Sequence, residues 1–298
     1  MHRVFVTGAT GFVGRAVVHA LRAEGHAVRC LVRRGSERDL QGFGAIERVE
    51  GDILGSTQAL EADISGCDTV VHLVGIIREY PARGVTFERV HHEGTRNVVQ
   101  AAAAAGARRF LHMSALGTRS GARSRYHQTK WAAEDAVRGG GLAWTIFRPS
   151  VIYGPGDGFL SLLAGMVKRL PVVPVLGDGR NRLQPVPVEH VAAGFARAVT
   201  QDASTKQTYD VAGPDALSMV DVLTAIGAAL HRPVRLVRVP LALVRPMAAA
   251  LHRVPSFPVT PDQLLMLEEN NTGDPQSFYT AFGVTPITFA QGLHQLYG

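Results

Sequence analysis

The 298-residue chain holds 31 Lys and Arg against 25 Asp and Glu, a formal net charge of +6, with 46% hydrophobic and 19% charged residues. This balance excludes a disordered or fibrous protein and suits one large domain, or a domain with a smaller lobe. The basic residues are spread without a dense cluster or a recognition motif, which argues against a nucleic-acid partner.

The first apolar run, residues 4–7, leads directly into Gly8-Ala9-Thr10-Gly11-Phe12-Val13-Gly14. Phe12, Ala16, Val17, Ala20 and Leu21 then recur at helical spacing as far as Gly25, where a C-terminal cap belongs. A second apolar run follows at 27–32. Strand, glycine-rich turn, helix and strand in this order are the setting that a dinucleotide fingerprint requires. Gly8 permits the tight turn, Gly11 lets the backbone approach a pyrophosphate and Gly14 allows close helix packing, while the helix N-terminus offers free N–H groups to phosphate. The second run ends in Arg33-Arg34, where an NAD-selective protein usually carries a carboxylate for the ribose 2′-hydroxyl. A guanidinium there binds a 2′-phosphate in bidentate fashion, so NADP(H) is the expected cofactor and NAD(H) the alternative.

Further apolar runs at 48–51, 69–74, 110–114 and 144–148 alternate with helical patterns. Continuous rather than alternating apolar strands are buried on both faces, which predicts a Rossmann-type, doubly wound parallel sheet with helices above and below. Cys30 in a strand-like run and Cys67 in a loop form neither a disulfide framework nor a metal cluster, which implies a reducing compartment. The first strand begins at Arg3, leaving no room for a signal peptide, and no apolar run approaches a membrane span, so the expected address is cytoplasmic. His91, His92, His112 and His127 lack Cys or carboxylate partners at ligand spacing, so no metal is expected.

Tyr126 and Lys130 stand four residues apart in a stretch with helical character, which puts both side chains on one face. An ammonium beside a phenol lowers a pKa that is ordinarily about 10, making tyrosine a usable acid–base catalyst. Of six tyrosines, only Tyr126 has one of the chain's three lysines four positions later. After Pro149 the pattern loosens into prolines and glycines, so residues 1–155 read as the nucleotide-binding domain and 156–298 as a smaller C-terminal substrate lobe. One strand-like run near 208–212 is expected to return to the main sheet.

The loop Thr7 to Gly14 has GxxGxxG spacing and resembles that of the extended and atypical members of the short-chain dehydrogenase/reductase superfamily. Tyr126 and Lys130 resemble its Tyr-x-x-x-Lys motif, and Arg148-Pro149 with Tyr153-Gly154-Pro155 resembles its Arg-Pro strand end. The resemblance is closest up to about residue 155 and weaker through 188–192 and 209–214. It implies that Ser114, at the end of the fifth strand, hydrogen-bonds the substrate oxygen, and that Lys130 also holds the nicotinamide ribose. It also implies an adenine contact at Asp52 with Ile53, and further nucleotide contacts at Thr10, Phe12, Val13, Leu73, Val74, Gly75, Met113, Pro149 and Val151. His91 replaces the usual asparagine before Glu93-Gly94-Thr95, and His190 replaces the usual aspartate before Val191. These departures, with the short interval from Ser114 to Tyr126 and with Arg33, point to the atypical branch related to the 39 kDa accessory subunit of mitochondrial complex I.

The resulting expectation is an NADP(H)-dependent oxidoreductase exchanging hydride with a carbonyl or alcohol carbon of a small to medium, partly apolar substrate. The alternatives are a nucleotide-sugar epimerase or dehydratase, and a non-catalytic NADP(H)-binding subunit or redox sensor. Residues 222–261 contain no Asp or Glu yet carry Arg232, Arg235, Arg238, Arg245 and Arg253 among leucines and valines broken by Pro233, Pro240, Pro246 and Pro255. That composition fits a weak contact with an anionic membrane surface, a cover over an apolar substrate, or a packed segment whose arginines face water.

Overall fold

The computed structural model describes residues 1–36, 40, 42–251 and 259–298. Its first half alternates strands and helices: β1 (Arg3–Thr7), α1 (Phe12–Ala23), β2 (Ala27–Val32), β3 (Glu47–Glu50), α2 (Thr57–Ile64), β4 (Thr69–His72), α3 (Gly94–Ala104), β5 (Arg109–Met113), α4 (Arg125–Gly139) and β6 (Ala143–Pro149). The second half comprises β7 (Ile152–Tyr153), α5 (Phe159–Arg169), β8 (Val173–Leu176), β9 (Arg182–Leu183), β10 (Val186–Pro187), α6 (Val188–Ala198), β11 (Gln207–Val211) and β12 (Leu217–Ser218). It continues through α7 (Met219–Ala229), β13 (Leu236–Val239), α8 (Leu241–Leu251), α9 (Pro261–Leu267), α10 (Gln276–Phe282) and α11 (Phe289–Tyr297).

Seven strands form one sheet in the order β3-β2-β1-β4-β5-β6-β11, every neighbour parallel. The order reverses between β1 and β4, and such a switch point opens a ligand crevice at the C-terminal ends of the strands. Side chains alternate across the sheet with period two. Val4 and Val6 enter one core with Val17, Val18 and Leu21 of α1, Val191 and Phe195 of α6 and Phe278 of α10. Phe5 enters the opposite core with Leu60, Ile64, Val98, Phe110 and Val137. Both faces of the inner strands are therefore covered by helices, which is why those strands are largely apolar, whereas the expected apolar run at 48–51 is not one: β3, Glu-Arg-Val-Glu at the sheet's edge, is mostly exposed.

The run near 208–212 becomes β11, which pairs with β6 from Gln207↔Thr145 to Val211↔Pro149 and forms the sheet's edge. Elements beyond residue 155 serve two cores. α6, β11 and α10 complete the nucleotide-side layer, whereas Leu160, Leu163, Val175, Ile226, Phe289 and Leu293 build a separate cluster in the smaller lobe. Before α3 the chain makes a wide π-helical turn, Glu88–Glu93, that the sequence pattern does not announce. The 222–261 stretch divides into α7, β13 and α8, and residues 252–258, including Arg253 and Pro255, lie outside the described residues. Among the described residues no helix is long and apolar enough to cross a membrane.

Candidate active site

The glycine loop leaves β1 and enters α1 through constraints visible atom by atom. Gly8 has φ +77°, and a Cβ there would stand 3.1 Å from the backbone of Leu73 and Val74 at the end of β4. A Cβ on Gly14 would overlap the Gly8 carbonyl oxygen and lie 2.8 Å from Ala9 Cα. Gly11 is different: its own turn is closed by Gly11 N–H donating to the Gly8 carbonyl at 3.1 Å, and a Cβ would meet only that oxygen, at 3.3 Å. Gly11 is exposed and is the N-cap of α1, with no side-chain cap and no acidic residue in the first turn. The N–H groups of Phe12, Val13 and Gly14 precede the first α1 bond, Arg15 N to Gly11 O, and the helix dipole there favours an anion. Thr10 is half-buried, and its carbonyl accepts from the Arg15 guanidinium.

The remaining expected nucleotide contacts follow the C-terminal ends of successive strands. Arg33 and Arg34 are exposed directly after β2, without a carboxylate partner among the described residues. Asp52 follows β3, is exposed, and accepts from Leu54 N at 2.9 Å, while Ile53 is buried and its carbonyl accepts from the Asn97 amide. Leu73, Val74 and Gly75 follow β4, Met113 closes β5, and Pro149 and Val151 stand at the end of β6. The glycine cradle and the uncapped helix end fit a dinucleotide laid across this edge.

Tyr126 and Lys130 lie one turn apart on α4, which begins at the Ser124 cap. Lys130 is 2% exposed, donates from Nζ to the Met113 carbonyl at 3.1 Å and packs against Gly75, where a Cβ would stand 3.0 Å from that nitrogen. The lysine thus bridges the ends of β4 and β5. Burial lowers its pKa to about 8, partly offset by Glu134. Tyr126 is packed edge-on against the rings of Phe87, His91 and His127. The expected lowering of its pKa is reversed: desolvation, and then the charge of Asp262, push it up to about 12. The physical reason is that the rings of Phe87, His91 and His127 desolvate the phenol, and no stabilisation of the phenolate by Lys130 offsets this.

Ser114 is also placed differently from the expectation. Its buried hydroxyl donates to Glu134 Oε1 at 2.6 Å, and Glu134 is further paired with Arg148 and Arg138, each at 2.6 Å. Glu134 lies two turns beyond Tyr126 on α4, about 12 Å along the axis. The Ser114 hydroxyl is therefore engaged with an ion-paired cluster and not with the tyrosine.

Two further residues near the tyrosine lie outside the expected site. His91, on the π-helical turn, is fully buried. It approaches the Thr129 hydroxyl through Nδ1 and the Ile76 backbone through Nε2, each at about 3.0 Å, tying the loop after β4 to α4. Burial, with Lys130 nearby, holds it well below the usual histidine range and therefore neutral. Asp262 of α9 accepts from the backbone N–H groups of Arg125 (2.7 Å) and Tyr126 (3.2 Å), which are orphan donors of the first turn of α4. His91 was noticeable as a departure from a motif, whereas Asp262 lies 136 positions from its partner. Among the described residues no three His, Cys, Asp or Glu side chains come together to hold a metal.

The chain is 41% identical over 194 residues to a ceramide reductase of Caulobacter vibrioides, a match covering 64% of this chain and 58% of that protein, so less than two thirds of the relative's length is spanned. It is 31% identical over 277 residues to NADH dehydrogenase (ubiquinone) 1 alpha subcomplex subunit 9, mitochondrial, of Arabidopsis thaliana, covering 89% of this chain and 68% of that one. The fold is that of the UDP-glucuronic acid 4-epimerase of Bacillus cereus, solved with UDP-glucuronic acid and NAD: TM-score 0.74 at 18% identity, covering 99% of this chain and 98% of the epimerase. Residues 4–212 match the NAD dependent epimerase/dehydratase family, from β1 through the edge strand β11, and the chain belongs to that family.

Proposed function

We propose that the protein is an NADP(H)-dependent reductase that converts the carbonyl of a partly apolar substrate to an alcohol, with Tyr126 as proton donor. The observation that carries this reading is the Tyr126–Lys130 pair on α4, held against Gly75 and Met113 at the crevice where the sheet order reverses. The glycine loop would hold the pyrophosphate, Arg33 the 2′-phosphate, Asp52 the adenosine end and Lys130 the nicotinamide ribose. When bound, the nicotinamide supplies the hydride for the carbonyl carbon.

The chain's own part is positioning and the proton. The Tyr126 phenol is protonated at neutral pH and is a stronger acid than an alcohol, so in the reducing direction it would give its proton to the developing alkoxide, while the rise to about 12 works against rapid proton transfer. His91 and Asp262 fix the loop after β4 and the first turn of α4, so that donor and substrate meet in one geometry. Ile77, 63% exposed on the loop after β4, offers an apolar surface beside the site, and the kinship with a ceramide reductase supports a ketone on an apolar chain.

A second reading, a non-catalytic NADP(H)-binding subunit, is favoured by the commitment of the Ser114 hydroxyl to Glu134 and by the similarity to the mitochondrial subunit over most of the chain. One experiment separates the two: NADPH consumption by the purified protein against a panel of short and long-chain ketones, run beside Tyr126→Phe with NADPH affinity measured for both. The reductase reading expects turnover in the wild type, a loss of at least about a hundredfold in the variant, and nearly equal affinities. NADPH binding without turnover on any ketone, or turnover indifferent to the tyrosine, overturns it.

A further inference from the structure

The face of the smaller lobe around α8 is unlike the rest of the molecule. On α8, Leu243, Met247 and Leu251 recur at i, i+4 and i+8, so they form one stripe, and they are 61%, 52% and 38% exposed. Only Ala248 of this helix is buried. Val237 of the neighbouring strand β13 is 48% exposed. β13 pairs with β8, and the bond from Val173 N to the Arg235 carbonyl brings Leu170 and Val172, 44% and 41% exposed, beside Arg235. Gly177, just after β8, approaches the Leu241 side chain, so α8 starts at the C-terminal end of the β8–β13 pair, and Leu170 and Val172 lie at its opposite end.

The segment's own charge has one sign, with exposed Asp178, beside Gly177, and Glu268 as its nearest acidic neighbours. No acidic residue occurs in 222–261, and Arg232, Arg235 and Arg238 are exposed without a carboxylate partner among the described residues. Arg245 is the exception, paired at 2.7 Å with Glu268, the C-cap of α9. An apolar helical stripe preceded by guanidinium groups without carboxylate partners suits a helix that lies in the plane of an anionic lipid surface: leucine and methionine enter the acyl boundary while arginines meet the headgroups. With 11 residues, α8 is about 16 Å long, far short of a bilayer's hydrocarbon core, so it can lie on a membrane but not cross it.

We propose that α8, with β13 beside it, docks the protein onto an anionic lipid bilayer. The position of this face gives the docking a use. The Arg245–Glu268 pair joins α8 to α9, and α9 in turn holds the first turn of the Tyr126 helix through Asp262. An apolar substrate leaving the bilayer would then emerge next to the candidate active site. That use rests on the reductase reading, whereas the docking itself does not.

The test uses the full chain with vesicles of phosphatidylcholine alone and of phosphatidylcholine mixed with phosphatidylglycerol, at low and high salt. Two double variants accompany it, Leu243→Ser/Met247→Ser and Arg235→Gln/Arg238→Gln, with NADPH affinity as the check of an intact fold. Co-sedimentation with the anionic vesicles at low salt is expected, weakened at high salt. Each arginine removed should weaken binding about fivefold, and each apolar residue about tenfold, with NADPH affinity unchanged. Failure to bind anionic vesicles at low salt overturns the proposal. So does binding that survives the Leu243→Ser/Met247→Ser change, which would reduce the effect to net positive charge. An oligomer that the same change dissolves, in a protein indifferent to vesicles, would assign the face to a second copy and also overturn it.

Discussion

Gly11 and Gly14 are three residues apart in the same loop, yet the structure assigns them opposite sensitivities, and a pair of alanine substitutions separates folding from nucleotide binding. At Gly14 an added Cβ overlaps the Gly8 carbonyl oxygen and stands 2.8 Å from Ala9 Cα, against an ordinary carbon contact of about 3.5–4 Å. Relief requires α1 to retreat by an appreciable fraction of an ångström. The helix is held by Val17, Val18 and Leu21, all fully buried in the core, so retreat opens a gap there. Overpacking a closed site costs about 1–3 kcal/mol, and this rigid backbone contact belongs at the upper end, about 3 kcal/mol, or roughly 6–12 °C in melting temperature. At Gly11 the backbone is already extended, φ −72° and ψ 170°, and the only near atom is 3.3 Å away. Alanine fits that conformation, so stability should change by less than about 1 kcal/mol, and in the stabilising direction if the unfolded-state entropy dominates. The new methyl group nevertheless occupies the place where a pyrophosphate approaches the helix end. Differential scanning fluorimetry with and without NADPH reads both effects. The wild type should gain about 2.7 kcal/mol at one hundred times the dissociation constant, Gly11→Ala should keep its melting temperature and lose that gain, and Gly14→Ala should lose both. A Gly14→Ala protein as stable as wild type, or a Gly11→Ala protein with the full nucleotide-induced shift, would refute the assignment of these glycines.

Arg33→Asp should weaken NADPH binding by about tenfold to a hundredfold and NADH binding by little, because an exposed side chain is replaced and a carboxylate repels a 2′-phosphate; isothermal titration with both nucleotides decides it, and equal losses would remove the case for NADP(H). Lys130 has a folded pKa of about 8, below its ordinary value near 10.5, so the unfolded chain binds more protons across that interval and this group makes stability rise with pH from about 8 to 10.5. Urea titrations of wild type and Lys130→Met should therefore diverge over that window by up to roughly 3 kcal/mol, whereas parallel curves would mean that the lysine is solvated. The Tyr126 phenol, raised to about 12, gives the opposite sign between pH 10 and 12, where stability is lost as the unfolded tyrosine ionises first. Asp262→Asn should lower the pH at which Tyr126 ionises and cost about 1 kcal/mol through the weakened hold on the first turn of α4; an ultraviolet titration referenced to Tyr126→Phe would expose an unchanged phenol and so reject the coupling.

What was legible beforehand was local. Gly8, Gly11 and Gly14 follow a strand by fixed offsets, and Tyr126 and Lys130 share a helical face whatever that helix packs against. The direction of the Ser114 hydroxyl was not legible, because it depends on which turn of α4 lies over the end of β5 and on the Glu134 ion pairs there. The ionisation of Tyr126 escaped for a related reason. Spacing reports that a lysine is near, but desolvation is set by Phe87, His91 and His127, and the neighbouring charge comes from Asp262 in a distant helix. The division of the second half between two cores was hidden too, since α6 and α5 have similar amphipathic patterns and only the sheet decides which helix covers it.

The pairing of α1 with α6 also bears on how the chain is made. The α1 residue Val17 and the α6 residue Val191 belong to one core but are 174 positions apart in the sequence. At a synthesis rate of about 5–20 residues per second, the apolar face of α1 waits roughly 9 to 35 s on the ribosome before its cover exists, and longer for Phe278 of α10. The growing chain thus carries an exposed hydrophobic helix for most of its synthesis, and folding in the cell should depend on chaperones that shield nascent apolar surface.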